Sequence, residues 1–347
     1  LIFFLIYLAI NLLFSVNIIN SYPRVVKFLL ITLFVKEILI FNNDEREIYF
    51  EKIIKFWSII YFVVTLDVIF EIVFGFNSLG FKSSLEGRVA SFFGDELVVG
   101  AFYHFFSLII LSYLIKNEYP NLLIITLIIL MISVSFMIGE RANFIKLFLS
   151  ILLFSFLVLK INNLKKIGLI SLALFIIAII FYSNDNLKKR YYNQISIIYS
   201  IDGFKKYFKE SQYGAHQITA YEIFKDNILF GVGLKNFREE SKKDIYENQD
   251  YYKTSQRQAT HPHQIHLELL SELGLLGYIS FLVLIIYTIT ISYMNYLLNR
   301  NPYQLSNIIY LLSCLIPLIP SGSLFSTFFG GIFWFSFGLM ISFNKKI

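Results

Sequence analysis

Long apolar runs recur along the whole chain, and each is close to the length that a helix needs to cross a bilayer. About ten runs can be delimited, at residues 1–19, 24–41, 53–75, 95–115, 121–138, 142–160, 166–183, 274–298, 303–319 and 324–343. A helix of roughly 20 apolar residues spans the hydrocarbon core and satisfies its own backbone hydrogen bonds there. The sequence therefore predicts an all-α polytopic membrane protein with about ten transmembrane helices.

The composition agrees with this fold class. Of the 347 residues, 56% are hydrophobic and only 16% are charged, which is far from the composition of a soluble domain. The net charge of +6 is spread over loops and helix ends, so it does not by itself indicate a nucleic-acid partner. Leu1 already lies inside an apolar stretch, with no initiator Met and no charged segment before it, so we expect a truncated N-terminus.

One long polar segment interrupts the apolar runs, at about residues 184–273. It is too hydrophilic to face lipid at membrane depth, so we expect a large and partly helical loop outside the bilayer. The sequence thus divides into an N-terminal transmembrane bundle of about seven spans (1–183), this loop (184–273) and about three C-terminal transmembrane helices (274–347).

The distribution of Lys and Arg near the ends of the spans predicts the orientation, because cytoplasmic loops carry more of them. The richer side has eleven, namely Lys36, Arg46, Lys52, Lys55, Lys116, Lys160, Lys165, Lys166, Arg300, Lys345 and Lys346. The poorer side has six, namely Arg24, Lys27, Lys82, Arg88, Arg141 and Lys146. We therefore expect the first side in the cytoplasm and the long polar loop on the outside.

This topology places four polar features on the outer side: Arg88, Arg141, Arg190 and the segment "THPHQIHLELLSELGLLGY" at Thr260–Tyr278. A common depth is what an active site at a membrane surface requires. Arginine suits phosphate and pyrophosphate because its planar fork donates two parallel, charged hydrogen bonds. Simpler interpretations stay open, since Arg141 could snorkel to the headgroups and the other two arginines could be solvated loop residues.

The segment Thr260–Tyr278 holds three of the five histidines of the chain, His261, His263 and His266. Their spacing could suit zinc, but no Asp or Cys completes a ligand set, so we predict no metal. They could also be polar residues of the membrane interface. Alternatively, Pro262 begins a helix and places His263 in its first turn, where the helix dipole keeps the imidazole neutral and competent as a general base. His266 is the second candidate.

Acidic residues in and near the membrane suggest a different class of function. Asp67 and Glu71 lie one helical turn apart in the third span, and carboxylates at this depth are typical of ion pathways. Asp95 and Glu96 open the fourth span, where we expect them to pair with the outer arginines. The alternative function is therefore a multispan polysaccharide transporter or flippase, although the sequence has no evident paired halves or mid-membrane helix breaks.

Four segments together resemble a known family: "GRVASFFGDELVVGAF", "GERANFIKLFLSILL", "AYEIFKDNILFGVGLKNF" and "THPHQIHLELLSELGLLGY". In their order, and with the large outer loop before the last one, they resemble the O-antigen ligase and O-antigen polymerase superfamily. These bacterial membrane glycosyltransferases use undecaprenyl-pyrophosphate-linked glycans in lipopolysaccharide biosynthesis. The ligase motif His-Asn-x-x-Leu is here His263-Gln264-Ile265-His266-Leu267, with Gln in place of Asn.

The resemblance implies a C-type glycosyltransferase of the inner membrane that needs no metal or cofactor and works on the periplasmic face. Its donor would be an undecaprenyl-pyrophosphate-linked glycan, and its acceptor a hydroxyl of a glycan or of the lipid A core. His263 would be the base, with His266 as the second candidate, and Arg141, Arg190 and Arg88 would bind the substrate. We also predict that Arg141, Arg190 and His263 surround one outer cavity, and polymerase and ligase activity both stay open.

Overall fold

The computed structural model describes residues 1–40, 43–198, 202–247 and 254–344, and over these ranges its regular elements are helices. The α-helices are α1 (Ile2–Asn11), α2 (Ile18–Ile40), α3 (Asn43–Phe74), α4 (Val99–Lys116), α5 (Asn121–Met137), α6 (Arg141–Val158), α7 (Asn163–Ser183), α8 (Asp185–Ile198), α9 (Gly203–Glu210), α10 (Gln212–Asp226), α11 (Phe237–Glu240), α12 (Ile265–Asn299), α13 (Pro302–Cys314) and α14 (Phe328–Ser342). Short 3₁₀ helices lie at Leu12–Phe14, Ser91–Glu96, Asp244–Tyr246 and Thr254–Gln256.

Six helices of the described ranges are long and apolar enough to cross a membrane. They comprise Ile18–Leu39, Ile48–Phe74, Val99–Lys116, Arg141–Val158, Asn163–Ser183 and Ile265–Asn299. Shorter apolar helices lie at Ile2–Phe14, Asn121–Met137 and Phe328–Ser342. The protein is therefore an all-helical, multi-pass membrane protein, while the sequence-based count of about ten spans and the placement of the long loop outside stay predictions.

The apolar run at 303–319 is not one continuous helix. Helix α13 ends at Cys314, and residues 315–327 are irregular. Pro317 and Pro320 explain this difference, because proline has no N–H to donate and disfavours a helical conformation in the residue before it. The same irregular segment, which we call the 315–327 strap, later contributes to the candidate site.

The chain forms two compact units, each assembled from separate stretches of sequence. The first unit comprises Leu1–Ile40, Ile195–Ile291 and Leu315–Gly338, and the second comprises Phe41–Gln194, Ser292–Cys314 and Leu339–Ile347. We call them the histidine unit and the arginine unit, after the candidate residues that each contains. The predicted division into 1–183, 184–273 and 274–347 is based on expected membrane spans and not on contacts between residues. It stays a prediction.

The core of the arginine unit is formed by α4, α6 and α13, which pack against one another. Helix α4 is buried along nearly its whole length. Its only histidine, His104, is buried and contacts Ser150 of α6 and Ser313 of α13 through Nε2, at 3.2 and 2.9 Å. Helix α7, in contrast, exposes many large apolar side chains, including Leu164, Phe175 and Ile179, as expected of a surface that faces lipid.

In the histidine unit, α12 is interrupted at Gly274, which has a φ of 67° and a ψ of −173°. The interruption leaves backbone groups of α12 without hydrogen-bond partners inside the helix. The loop 228–233 supplies these partners. Leu275 N and Leu276 N donate to the carbonyls of Ile228 and Leu229 at 2.7 and 3.3 Å. Gly233 N donates to the Glu272 carbonyl at 2.8 Å. The break is thus a built feature, held by backbone hydrogen bonds on both of its sides.

The backbones of α12 and of the loop 228–233 approach so closely at this break that side chains would not fit between them. A β-carbon on Gly231 would lie 2.5 Å from the carbonyl carbon of Glu272, and a β-carbon on Gly274 would clash with the backbone of Leu229. Both glycines also have a positive φ, which other residues adopt only with strain. The segment "FGVGLKNF" therefore begins with a tight turn that lies against α12.

Candidate functional site: the histidine cluster and the arginine group

His263 lies just before α12 and not in its first turn. The helix begins at Ile265, and His263 has a left-handed φ of 55°. The prediction that Pro262 begins the helix is therefore wrong, and so is the dipole argument that rested on it. The physical reason is the cap: Gln264 Oε1 accepts a hydrogen bond from Leu267 N at 2.8 Å, so Gln264 takes the N-cap position.

The conformation of His263 is held by the strap. Ser321 N donates to the His263 carbonyl at 2.8 Å, which fixes the peptide that joins His263 to Gln264. A left-handed conformation is uncommon for a residue other than glycine, and it persists only where its surroundings enforce it. The imidazole therefore leaves the chain in a direction that a helical His263 could not give it.

Three imidazoles and one phenol ring meet at this point. The ring centroids of His261 and His263 are 4.1 Å apart, and those of His216 and His263 are 5.2 Å apart with planes inclined by only 26°. Tyr213 approaches His263 edge-on at 5.3 Å. His216 and Tyr213 belong to α10, so this helix brings a further histidine to the motif. We call these four residues the histidine cluster.

The cluster strongly favours neutral imidazoles. Burial lowers the pKa of His263 to about 2, with further contributions from His261, His216 and Lys235. Burial also lowers the pKa of His261 to about 3, and Lys235 and His216 act in the same direction. The pKa of His216 is lowered by burial, which a backbone contact to Gln256 partly opposes. At neutral pH these histidines can accept a proton but do not carry one as a charge.

The rings of the histidine cluster contact one another in stacked, tilted and edge-on arrangements. Within the described ranges no three His, Cys, Asp or Glu side chains are arranged so that they could hold a metal ion. A zinc site needs nitrogen or oxygen atoms aimed at one point about 2 Å away. The nearly parallel planes of His216 and His263 instead suit ring packing.

His266 lies apart from the cluster in the first turn of α12. Its Nε2 lies 2.8 Å from the carbonyl of Leu315, and its Nδ1 lies 3.1 Å from the Tyr278 hydroxyl. The carbonyl can only accept, so Nε2 carries the proton and Nδ1 accepts from Tyr278. These two contacts give His266 a role in joining α12 to the strap, and its role as the alternative base stays a prediction.

A buried charge cluster lies next to the histidines. Lys235, whose backbone φ is 63°, donates from Nζ to Ser323 Oγ at 2.5 Å and lies 3.6 Å from Glu268 Oε1. Glu268 Oε2 accepts from Leu324 N at 3.1 Å. Glu272, which is fully buried, interacts electrostatically with both Lys235 and Glu268. Glu268 thus anchors the strap to α12, and Lys235 anchors it to the loop after Gly233.

The arginine unit brings Arg88, Arg141 and Arg190 together. Arg88 forms an ion pair with Glu140, with Nη2 and Oε1 2.8 Å apart, and it also donates to the carbonyl of Leu97 at 2.8 Å. The Glu140 carboxylate also accepts a hydrogen bond from Asn143 at 2.6 Å. Glu140, which the sequence suggests as a partner for the adjacent Arg141, thus pairs with Arg88.

Arg141 and Arg190 join the loops around them. Arg141 Nη1 donates to the Arg190 carbonyl at 2.8 Å. Arg190 donates from Nε to the Gly139 carbonyl at 2.9 Å and from Nη1 to the Glu86 carbonyl at 3.2 Å. A β-carbon on Gly139 would clash with the carbonyl of Gly87. Glycines at positions 87 and 139 allow the loop of Arg88, the start of α6 and helix α8 to approach closely.

The two carboxylates of α3, Asp67 and Glu71, accept hydrogen bonds from backbone and side-chain groups of the protein. Glu71 accepts hydrogen bonds from Ala90 N and Ser91 N, the shortest at 2.6 Å. Asp67 accepts from the Ser91 hydroxyl at 2.6 Å and from Ser78 N at 2.8 Å. Both carboxylates therefore hold the loop that leads through Arg88 to α4, which gives them a structural explanation without ion transport.

The candidate residues are thus divided between the units: His263 and His266 belong to the histidine unit, and Arg88, Arg141 and Arg190 to the arginine unit. Asp95 and Glu96 are exposed. The predicted cavity shared by Arg141, Arg190 and His263 stays a prediction. Sequence reasoning missed His216 and Lys235, and the one signal for Lys235 was its place in the glycine-containing segment "FGVGLKNF".

Comparison with known proteins points to one family. A search of the curated proteins finds no significant match. The family model described as O-Antigen ligase matches residues 126–282, a range that contains the histidine cluster, Arg141 and Arg190 but not Arg88. Over these residues the chain is similar to the O-antigen ligase family, which indicates enzyme activity of the glycosyltransferase type.

Proposed function

We propose that the protein transfers a glycan from undecaprenyl pyrophosphate to a hydroxyl group of an acceptor, a growing glycan or the lipid A core. The reaction takes place at the periplasmic face of the inner membrane and needs no metal. His263 removes the proton of the acceptor hydroxyl as its oxygen attacks the donor sugar. The carbon–oxygen bond to the diphosphate breaks, and the diphosphate leaves with the electron pair.

The observation that carries this proposal is the state of His263. It lies just before α12, within the family-matched range, and burial keeps its imidazole neutral at neutral pH. A neutral imidazole can accept a proton from a hydroxyl.

The grouping of the arginines supports the second half of the proposal. Arg88 pairs with the buried Glu140, and Arg141 and Arg190 contact each other and the neighbouring backbone, so three permanent positive charges lie in one part of the arginine unit. We assign the diphosphate to Arg141 and Arg190, and Arg88, which is paired with Glu140, to a supporting contact with the substrate. A permanent positive charge next to a departing diphosphate stabilises the transition state without a metal.

The proposal is tested by substituting the three motif histidines in a strain that lacks the gene. His263→Ala should lower glycan transfer by about 10²–10⁴-fold, the typical effect of losing a positioned base. His261→Ala and His266→Ala should cost less. The measurement is the amount of polymerised or ligated lipopolysaccharide on a gel, at matched levels of membrane-inserted protein.

The same assay separates the alternatives. Product close to wild type from His263→Ala would reject His263 as the base. An equal loss from all three variants would indicate a structural cluster or a bound metal. Transfer by the wild-type protein should survive EDTA, and a loss that a divalent ion restores would contradict the metal-free reaction. Because Asp67 and Glu71 bind backbone groups, a transporter is not favoured.

A further inference from the structure

The strap carries a buried hydroxyl group without a partner, close to His263. Ser321 is only 8% exposed, and its Oγ has no hydrogen-bond partner. Its backbone N–H is bound to the His263 carbonyl at 2.8 Å, which fixes the residue next to the histidine. A buried hydroxyl that is left unbonded costs free energy, so a ligand that accepts its hydrogen would be favoured here.

Lys235 adds a positive charge at the same place. It contacts Ser323, two residues along the strap from Ser321, at 2.5 Å. Its charge acts on both His261 and His263. An ammonium group has three donors; Ser323 takes one, while Glu268 Oε1 at 3.6 Å is beyond hydrogen-bonding distance. The left-handed φ of 63° at Lys235 is the kind of local strain that functional sites retain.

Two further cations surround this part of the strap. Lys27 Nζ donates to the carbonyl of Ser326 at 2.6 Å, and Arg24 Nη1 to that of Phe325 at 3.5 Å. Lys27 is close enough to Arg24 and Lys235 to interact with both charges. The opposing carboxyl groups are two, Glu268 and Glu272, and both are buried, so the three cations leave a net positive charge. The field at the strap therefore favours an anion.

We propose that Lys235 and the hydroxyl of Ser321 form an anion subsite beside His263, which binds a phosphate or carboxylate group of the glycan substrate. This inference rests on the proposed function for the identity of the substrate. The subsite lies in the histidine unit, so it is additional to the diphosphate contacts assigned to Arg141 and Arg190. The anion is either the diphosphate of the donor or the carboxylate of an acidic sugar.

The test is a calorimetric titration of the full chain in nanodiscs, with inorganic pyrophosphate and, separately, with galacturonate. Lys235→Met should weaken binding of one or both probes about tenfold or more, since charged hydrogen bonds are the strong ones. Ser321→Ala should weaken it about threefold or more. Lys242→Met, which removes an exposed lysine paired with Glu239, should bind like the wild type. An effect on pyrophosphate indicates phosphate, and one on galacturonate indicates an acidic sugar.

Two further measurements keep the test decisive if Lys235→Met does not fold. The double variant Lys235→Met/Glu268→Gln removes both charges of the buried pair. In a Cys314→Ser background, Ser321→Cys should react with a small thiol reagent more slowly when the bound probe is present. The subsite is rejected if the wild type binds neither probe, if the folded Lys235 and Ser321 variants bind like the wild type, or if neither probe protects the cysteine.

These outcomes are independent of the proposed function. A wild-type protein that transfers glycan while the variants bind both probes normally would reject the subsite alone. A protein whose probe binding depends on Lys235 and Ser321, but which transfers no glycan, would keep the subsite and reject the glycosyltransferase.

Discussion

At the scale of single residues, the histidine cluster ties the stability of the protein to pH. His261 and His263 have pKa values of about 3 and about 2 in the folded protein, against about 6.5 in an unfolded chain. Between these values the unfolded state binds more protons than the folded state. The stabilising contribution is therefore complete above about pH 6.5 and is lost as the pH falls towards 3.

We predict that the melting temperature of the wild-type protein in detergent falls when the pH is lowered from 7 to 5. Each of the two histidines lowers the free energy of unfolding by at most about 1.4 kcal/mol per pH unit below its unfolded pKa. The variant His261→Gln/His263→Gln should lose most of this dependence, and Lys242→Met should keep it. Differential scanning fluorimetry measures both. Parallel melting curves of wild type and variant over this pH range would contradict the explanation.

The sequence was sufficient to single out the motif histidines and the three arginines, because polar groups between long apolar runs are few. It could not place His216 or Lys235. His216 lies in an ordinary amphipathic helix, and only tertiary packing brings it onto His263. The dipole argument for His263 was wrong because the side chain of Gln264 caps the helix, and a capping choice between neighbouring residues depends on atomic contacts that periodicity does not contain.

At the scale of elements, the break in α12 is the feature that shapes the histidine unit. Gly274 allows the backbone to turn, and the loop 228–233 binds the groups that the turn exposes. The helix segment before the break carries Glu268 and Glu272, and the segment after it continues as an apolar span. The break thus separates the part of α12 that holds charges from the part that meets lipid.

We predict that Gly274→Ala destabilises the protein by about 1–3 kcal/mol, because it combines an unfavourable φ with a clash against Leu229. Glycan transfer should fall together with the stability, because Glu268 of α12 binds the strap through Leu324 N. The matched control is Gly168→Ala in α7, where a β-carbon meets no atom within 4 Å and alanine favours the helix. Thermal unfolding measures the stability of both variants. Equal stability of the two would show that the break accepts a side chain at position 274 and would contradict the prediction.

Helix positions followed from the sequence more closely than helix ends did. The apolar run at 166–183 is contained in α7, and the run at 95–115 overlaps α4, which begins later, at Val99. The end of α13 at Cys314 was missed because the apolar run continues through Pro317 and Pro320. A hydropathy profile does not contain the backbone restriction that proline imposes, although the positions of the prolines in the sequence indicate it.

At the scale of the whole molecule, orientation in the membrane decides which side the reaction serves. The excess of Lys and Arg on one side predicts that residue 242 lies outside and residue 165 in the cytoplasm. In a Cys314→Ser background, Lys242→Cys should react with a membrane-impermeant maleimide on intact spheroplasts. Lys165→Cys should react only after permeabilisation. The reverse pattern would invert the topology and remove the periplasmic site.

The histidine unit has a consequence for how the protein is made. Tyr7 donates to the carbonyl of Leu273 at 2.5 Å, and Lys27 to that of Ser326 at 2.6 Å, contacts that join the first helices to segments translated much later. At about 5–20 residues per second, the ribosome reaches Ser326 roughly 15–60 s after Lys27. During this interval α1 and α2 lack the later segments that they contact, so the histidine unit closes only after Ser326 has been translated.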